Sequence, residues 1–117
     1  ARLGVISNKP HANTVDVIRQ VFGKGVFDWV QGQTEEIPRK PDPAGALYTA
    51  EKLCVSPGEC LYIGDTGTDM KTGTAAGMYT VGVLWGFRDR KELEETGAME
   101  IVGEPSEIGR IYRDGKA

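Results

Sequence analysis

Histidine, a common proton carrier in hydrolytic sites, is nearly absent: His11 is the only one in 117 residues. Cysteine is almost as scarce. Cys54 and Cys60 have neither zinc-site spacing nor companion histidines, so they read as packing thiols in a reducing compartment. No apolar run approaches the roughly 20 residues of a membrane span, and no secretory leader is visible. A cytoplasmic location with no membrane partner is therefore expected. Charge of one sign is also lacking. A net charge of −3 argues against general affinity for nucleic acid. It leaves room for an anionic ligand, because a local site can be positive on an acidic protein. Finally, no Asp-x-Asp pair occurs anywhere in the sequence.

What is present fits one compact domain over residues 1–117, with 39% hydrophobic residues to build a modest core. Leu3-Gly4-Val5-Ile6 reads as a buried strand that gives way to a loop at Ser7-Asn8-Lys9-Pro10. From His11 to Phe22 the pattern is helical, with Val15, Ile18 and Phe22 on one face and Gly23 and Gly25 closing it. Val26 to Val30 reads as a second strand, and the proline-braced stretch Thr34 to Pro43 as a loop. A helix is expected over Ala44 to Leu53, a turn at Ser56-Pro57-Gly58-Glu59 and a third strand over Cys60 to Ile63. Then come a helix from Thr68 to Ala76 ended by Gly77, a strand from Tyr79 to Leu84 and a short helix from Arg90 to Thr96. An edge strand over Ala98 to Val102 and a terminal helix over Ser106 to Tyr112 complete the order. Strands alternating with helices along the whole length specify an α/β layer fold with a mainly parallel sheet.

In open parallel sheets the ligand crevice lies beyond the carboxyl ends of the strands. Ser7-Asn8-Lys9 follows the first strand, Arg39-Lys40-Pro41 lies beyond the second, and Gly64-Asp65-Thr66-Gly67-Thr68-Asp69 follows the third. A hydroxyl, a lysine and two carboxylates at one rim suit a phosphoryl group and a divalent cation. Ser7 can donate to phosphate oxygens, or Ser7 or Asn8 can cap the next helix. Lys40 can neutralise phosphate, or stand as a solvated lysine. Asp65 and Asp69 repel each other unless a cation lies between them, and magnesium takes few carboxylates plus waters and substrate oxygens. Asp69 can instead be a first-turn acid that favours the helix dipole. Lys9 is a candidate substrate contact and His11 a residue of the first helical turn. Trp85-Gly86-Phe87 reads as a packed loop at the crevice rim.

These three segments in this order, with Ala75-Ala76-Gly77-Met78 and Val81-Gly82-Val83 behind them, resemble the later motifs of the haloacid dehalogenase-like (HAD) superfamily, with phosphoglycolate phosphatases the nearest group. The resemblance implies a three-layer Rossmann-like core. It implies phosphoryl binding by Ser7, with Asn8 beside it. Lys40 then balances charge, and Asp65 and Asp69 place Mg2+. The family reaction is attack by an aspartate on the phosphorus of a small phosphorylated metabolite, giving an aspartyl-phosphate that water hydrolyses.

That nucleophile belongs to a first motif of Asp-x-Asp form. Asp114, after the last helix, has no matching context. The expectation is therefore a HAD-like core fragment, without the central first-motif strand or a cap domain and inactive by itself. Ser7 and Lys40 are too close in sequence for a cap to lie between them. The strands ending at Ser7 and Asp65 are expected either to close up directly, or to receive a cleaved N-terminal piece or a neighbouring copy between their edges. A non-catalytic phosphate- or metal-binding module is the alternative from another class; a phosphomutase or phosphonate hydrolase is the alternative within the superfamily.

Overall fold

The computed structural model describes residues 2–23, 25–86 and 89–113. Five strands and five helices alternate: β1 (Gly4–Pro10), α1 (His11–Phe22), β2 (Trp29–Gln33), α2 (Ala44–Lys52), β3 (Leu61–Gly64), α3 (Gly67–Ala75), β4 (Tyr79–Val83), α4 (Arg90–Glu95), β5 (Glu100–Val102) and α5 (Ser106–Arg113). All sheet pairing is parallel, in a two-stranded sheet β1-β2 and a three-stranded sheet in the order β3-β4-β5. The expected α/β class with parallel strands is the observed one.

Side-chain alternation along the strands assigns the helices to layers. On β4, Thr80 and Gly82 face Gly73 of α3 and Leu93 of α4, while Val81 and Val83 pack with Ile111 of α5. On β1, Gly4 and Ile6 face Thr49 and Gly45 of α2. On β2, Gly32 lies against His11 and Thr14 of α1. Tyr62 of β3 touches Gly73 and joins Ala46 and Ala50 of α2, with Ala76 and Met78, in one buried cluster. Thus α2, α3 and α4 cover one face and α1 and α5 the other. The second cluster is Val81, Val83, Val102 and Ile111.

Three expectations are corrected. The second strand starts at Trp29, not Val26. The N–H groups of Asp28 and Trp29 donate to the Leu3 carbonyl, the Asp28 carboxylate accepts from the Leu3 N–H, and Phe27 turns edge-on to Phe22. Pairing therefore begins at Gly4↔Trp29 and runs on through polar Gln31 and Gln33. The first strand continues to Pro10, with a register irregularity between Ile6 and Pro10, so Ser7, Asn8 and Lys9 lie on a bulged strand and not in a loop. Pro10 is the N-cap of α1, which has no side-chain cap, so neither Ser7 nor Asn8 caps it.

Nor do β1 and β3 close on each other. Ile6 of β1 packs against the cluster that Tyr62 of β3 forms with Ala46 and Ala50 of α2, but the two strands belong to different sheets. Between them lies a cleft of about 1220 Å³, lined by residues 2–6 and 61–64 along its sides. Ala46, Thr49 and Ala50 of α2 and its C-cap Leu53 border one face, and Ile108, Gly109 and Tyr112 of α5 the other.

Candidate functional site

One end of this cleft carries Lys40, Asp65 and Asp69. The Lys40 N–H donates to Asn8 Oδ1 at 2.9 Å, and its Nζ donates to Asp69 Oδ1 at 2.8 Å. A single residue thus joins the carboxyl end of β1 to the first turn of α3. The Lys40–Pro41 peptide is cis. The Lys40 side chain is 17% exposed and that of Asp69 11%, so the pair is mostly removed from water and the solvated-lysine alternative is not what forms.

Asp69 is held on both oxygens. Oδ1 takes the Lys40 ammonium, and Oδ2 accepts from the Asp65 N–H at 3.2 Å and from the Thr66 hydroxyl at 3.0 Å. Thr66 is the N-cap of α3, its Oγ1 accepting from the Asp69 N–H at 3.1 Å. Asp69 therefore does stand in the first helical turn, and it orders the acid loop as well. Gly64 makes this possible: a Cβ there would lie 2.3 Å from the Asp69 Cβ. The loop is tied from a further helix by Glu92, whose Oε2 accepts from the Gly67 N–H at 2.7 Å.

Asp65 differs. Among the described residues its carboxylate has no hydrogen-bond or ion-pair partner, and it borders the cleft. An acceptor with free lone pairs beside a second, restrained carboxylate suits a hard cation. No group of three or more His, Cys, Asp and Glu side chains suited to a metal exists among the described residues. Magnesium, which keeps waters and phosphate oxygens in its shell, fits such a two-acid site.

Ser7 stands one step away. Its Oγ accepts from the Lys9 N–H at 3.1 Å, leaving its hydrogen free to donate. With Asn8, Arg39 and Lys40 it lines a small crevice beside the main cleft. Lys9 is exposed and lines neither cavity. His11 Nδ1 accepts from the Gly32 N–H at 3.1 Å, a structural contact between α1 and β2. Phe87 and Asp114 lie outside the described residues. Asn8 as the backbone anchor of Lys40, and Glu92 as the holder of Gly67, carry no local sequence signal, since each partner is far along the chain.

Two neighbouring groups are shifted. Burial, then the Asp69 charge, pushes the Tyr62 phenol well above its ordinary range. Burial, then Glu59, pushes the Cys60 thiol up, so it stays a neutral lining group.

The model of a haloacid dehalogenase-like hydrolase family matches residues 1–77. A phosphoglycolate phosphatase from Xylella fastidiosa is 36% identical over 108 residues, covering 92% of this chain and 47% of the relative. One from Pseudomonas putida is 28% identical over 100 residues, covering 86% of this chain and 37% of its own length. Among solved structures, a Lactobacillus delbrueckii subsp. bulgaricus protein assigned as a phosphoglycolate phosphatase superposes with a TM-score of 0.86 at 34% identity, over 92% of this chain and 44% of that one. A Thermotoga maritima protein assigned as a beta-phosphoglucomutase superposes with a TM-score of 0.80 at 26% identity, over 97% and 52%. The chain thus spans less than half the length of these two curated relatives.

Proposed function

Since this chain belongs to the haloacid dehalogenase-like hydrolases, we propose that it forms part of a magnesium-dependent phosphatase core for a small phosphomonoester such as phosphoglycolate. The observation that carries this reading is the 2.8 Å Lys40–Asp69 pair beside the Asp65 carboxylate, which has no partner among the described residues, at one cleft end.

Each group has a task in this reading. Lys40, aimed by Asn8 and Asp69, offsets the negative charge that grows on phosphoryl oxygens during transfer. The free Ser7 hydroxyl hydrogen donates to one such oxygen. Asp65 is the direct magnesium ligand, with Asp69 fixing the loop alongside; when bound, the metal stabilises charge on the phosphoryl group. The attacking carboxylate comes from a segment beyond these residues. The cleft supports this, because it offers a strand edge on either side and a helix on either face, the surroundings of an inner strand of a parallel sheet.

The 117-residue chain with phosphoglycolate and magnesium should give no turnover. The same chain joined to a strand that carries an Asp-x-Asp pair should turn over, and Asp65→Asn should abolish that activity. Phosphate and magnesium binding without turnover in the joined protein would favour a non-catalytic module. Transfer within a sugar phosphate, in place of hydrolysis, would favour the phosphomutase branch to which the Thermotoga maritima neighbour is assigned.

A further inference from the structure

Asp65 raises a question of orientation. Asp69 is held by three hydrogen bonds through its two oxygens, whereas the Asp65 carboxylate has no partner among the described residues. A flexible acid loses rotamer freedom when it takes a cation, and affinity falls accordingly. A contact other than a hydrogen bond can limit where this side chain goes.

The segment after β4 supplies a wall. An ideal Cβ on Gly86 would stand 2.3 Å from Asp65 Oδ2, 2.5 Å from its Cβ and 2.8 Å from its Cγ. The Asp65 side chain therefore occupies the space that a side chain on Gly86 would need. No φ in the left-handed region is involved at Gly86, unlike Gly77 or Gly97, so space and not backbone conformation calls for glycine there. On the far side of the same loop, Glu92 grips the Gly67 N–H, and a Cβ on Gly67 would meet Thr96 Cγ2 at 2.9 Å and Glu92 Cγ at 3.2 Å. The acid loop is thus bounded twice from beyond β4, once at its backbone and once at the Asp65 side chain.

We propose that Gly86 is a positioning residue for Asp65: the bare backbone forms the surface that confines the carboxylate to the cleft, and any side chain there drives it out of place. The consequence for cation binding rests on the reading of Asp65 as the magnesium ligand; the contact itself does not.

A four-protein unfolding cycle in urea separates the two. Gly86→Ala should lower the midpoint in the parent chain and leave it unchanged in the Asp65→Gly background, where no side chain remains to be struck. An equal loss in both backgrounds overturns the proposal. If Gly86→Ala alone fails to fold and the double variant folds, the clash is demonstrated; if neither folds, the proposal is overturned. Calorimetric titration with Mg2+ alone supplies the functional arm. Gly86→Ala with parental circular dichroism should bind magnesium about tenfold or more weakly, the usual scale for disturbing what orients a ligand. Unchanged affinity in a folded Gly86→Ala protein refutes the positioning role. Unchanged affinity in Asp65→Asn instead removes the magnesium reading of Asp65, while the unfolding cycle still decides the contact.

Discussion

Lys40 carries the largest consequences for a single side chain. Removing its ammonium leaves Asp69, 8% exposed, with an uncompensated charge. Breaking a buried pair from one side costs about 3 kcal/mol or more, because the remaining ion stays desolvated. Lys40→Met should lower stability by about that amount in urea denaturation, and Lys40→Met with Asp69→Asn should recover part of it. Tyr62 makes a pH prediction. Burial first, and then the Asp69 charge, raises its folded pKa above the ordinary 10.0. The stability it contributes is complete below pH 10 and declines as pH climbs above it, since the unfolded chain ionises first. Alkaline denaturation should therefore be shallower in Tyr62→Phe than in the parent chain, measured by circular dichroism across the alkaline range. At this scale the residues of the site were legible as strand-end motifs, but their pairings were not. Which carboxylate takes Lys40 depends on rotamers and on Gly64 and Gly86, whose partners are settled only when the chain folds.

Among the elements, α3 sits close against its sheet. A Cβ on Gly73 would stand 2.5 Å from Thr80 Cγ2 and 2.9 Å from the Tyr62 Cβ. Thr80 is fully buried and anchored to the Gly97 carbonyl at 2.8 Å, so it cannot give way cheaply. Gly73→Ala gains helix propensity but overpacks this contact, and a net loss of about 1–3 kcal/mol should appear as a lower thermal midpoint. The helices and the β3–β5 strands were readable from apolar periodicity and glycine stops, to within a residue or two at most ends. The two errors lie in the β1–β2 pair. Val26 to Val30 has the hydrophobicity of a strand, yet Asp28 is spent on linking to Leu3, and pairing moves on to a polar stretch. The strand continues past Ile6 because Pro10 pairs with Gln33, a contact that hydrophobic pattern alone does not encode.

For the molecule as a whole, burial is unevenly shared. Both apolar clusters belong to α2, α5 and the β3–β5 side. The β1–α1–β2 unit buries Thr14 and Gln31, while Val17, Val21 and Phe22 of its helix stay exposed. The parallel α/β class was legible because it follows from element order; this asymmetry was not, because it depends on which helix faces the folded chain covers. It sets a clock for amide deuteration. Local opening is easiest where few apolar contacts are lost, so peptides covering Gly4–Gln33 should take up deuterium well before those covering Tyr79–Val83, and uniform protection would contradict this. The same imbalance makes the first thirty residues the portion that a protease reaches earliest, with β3, β4 and β5 surviving as the resistant remnant.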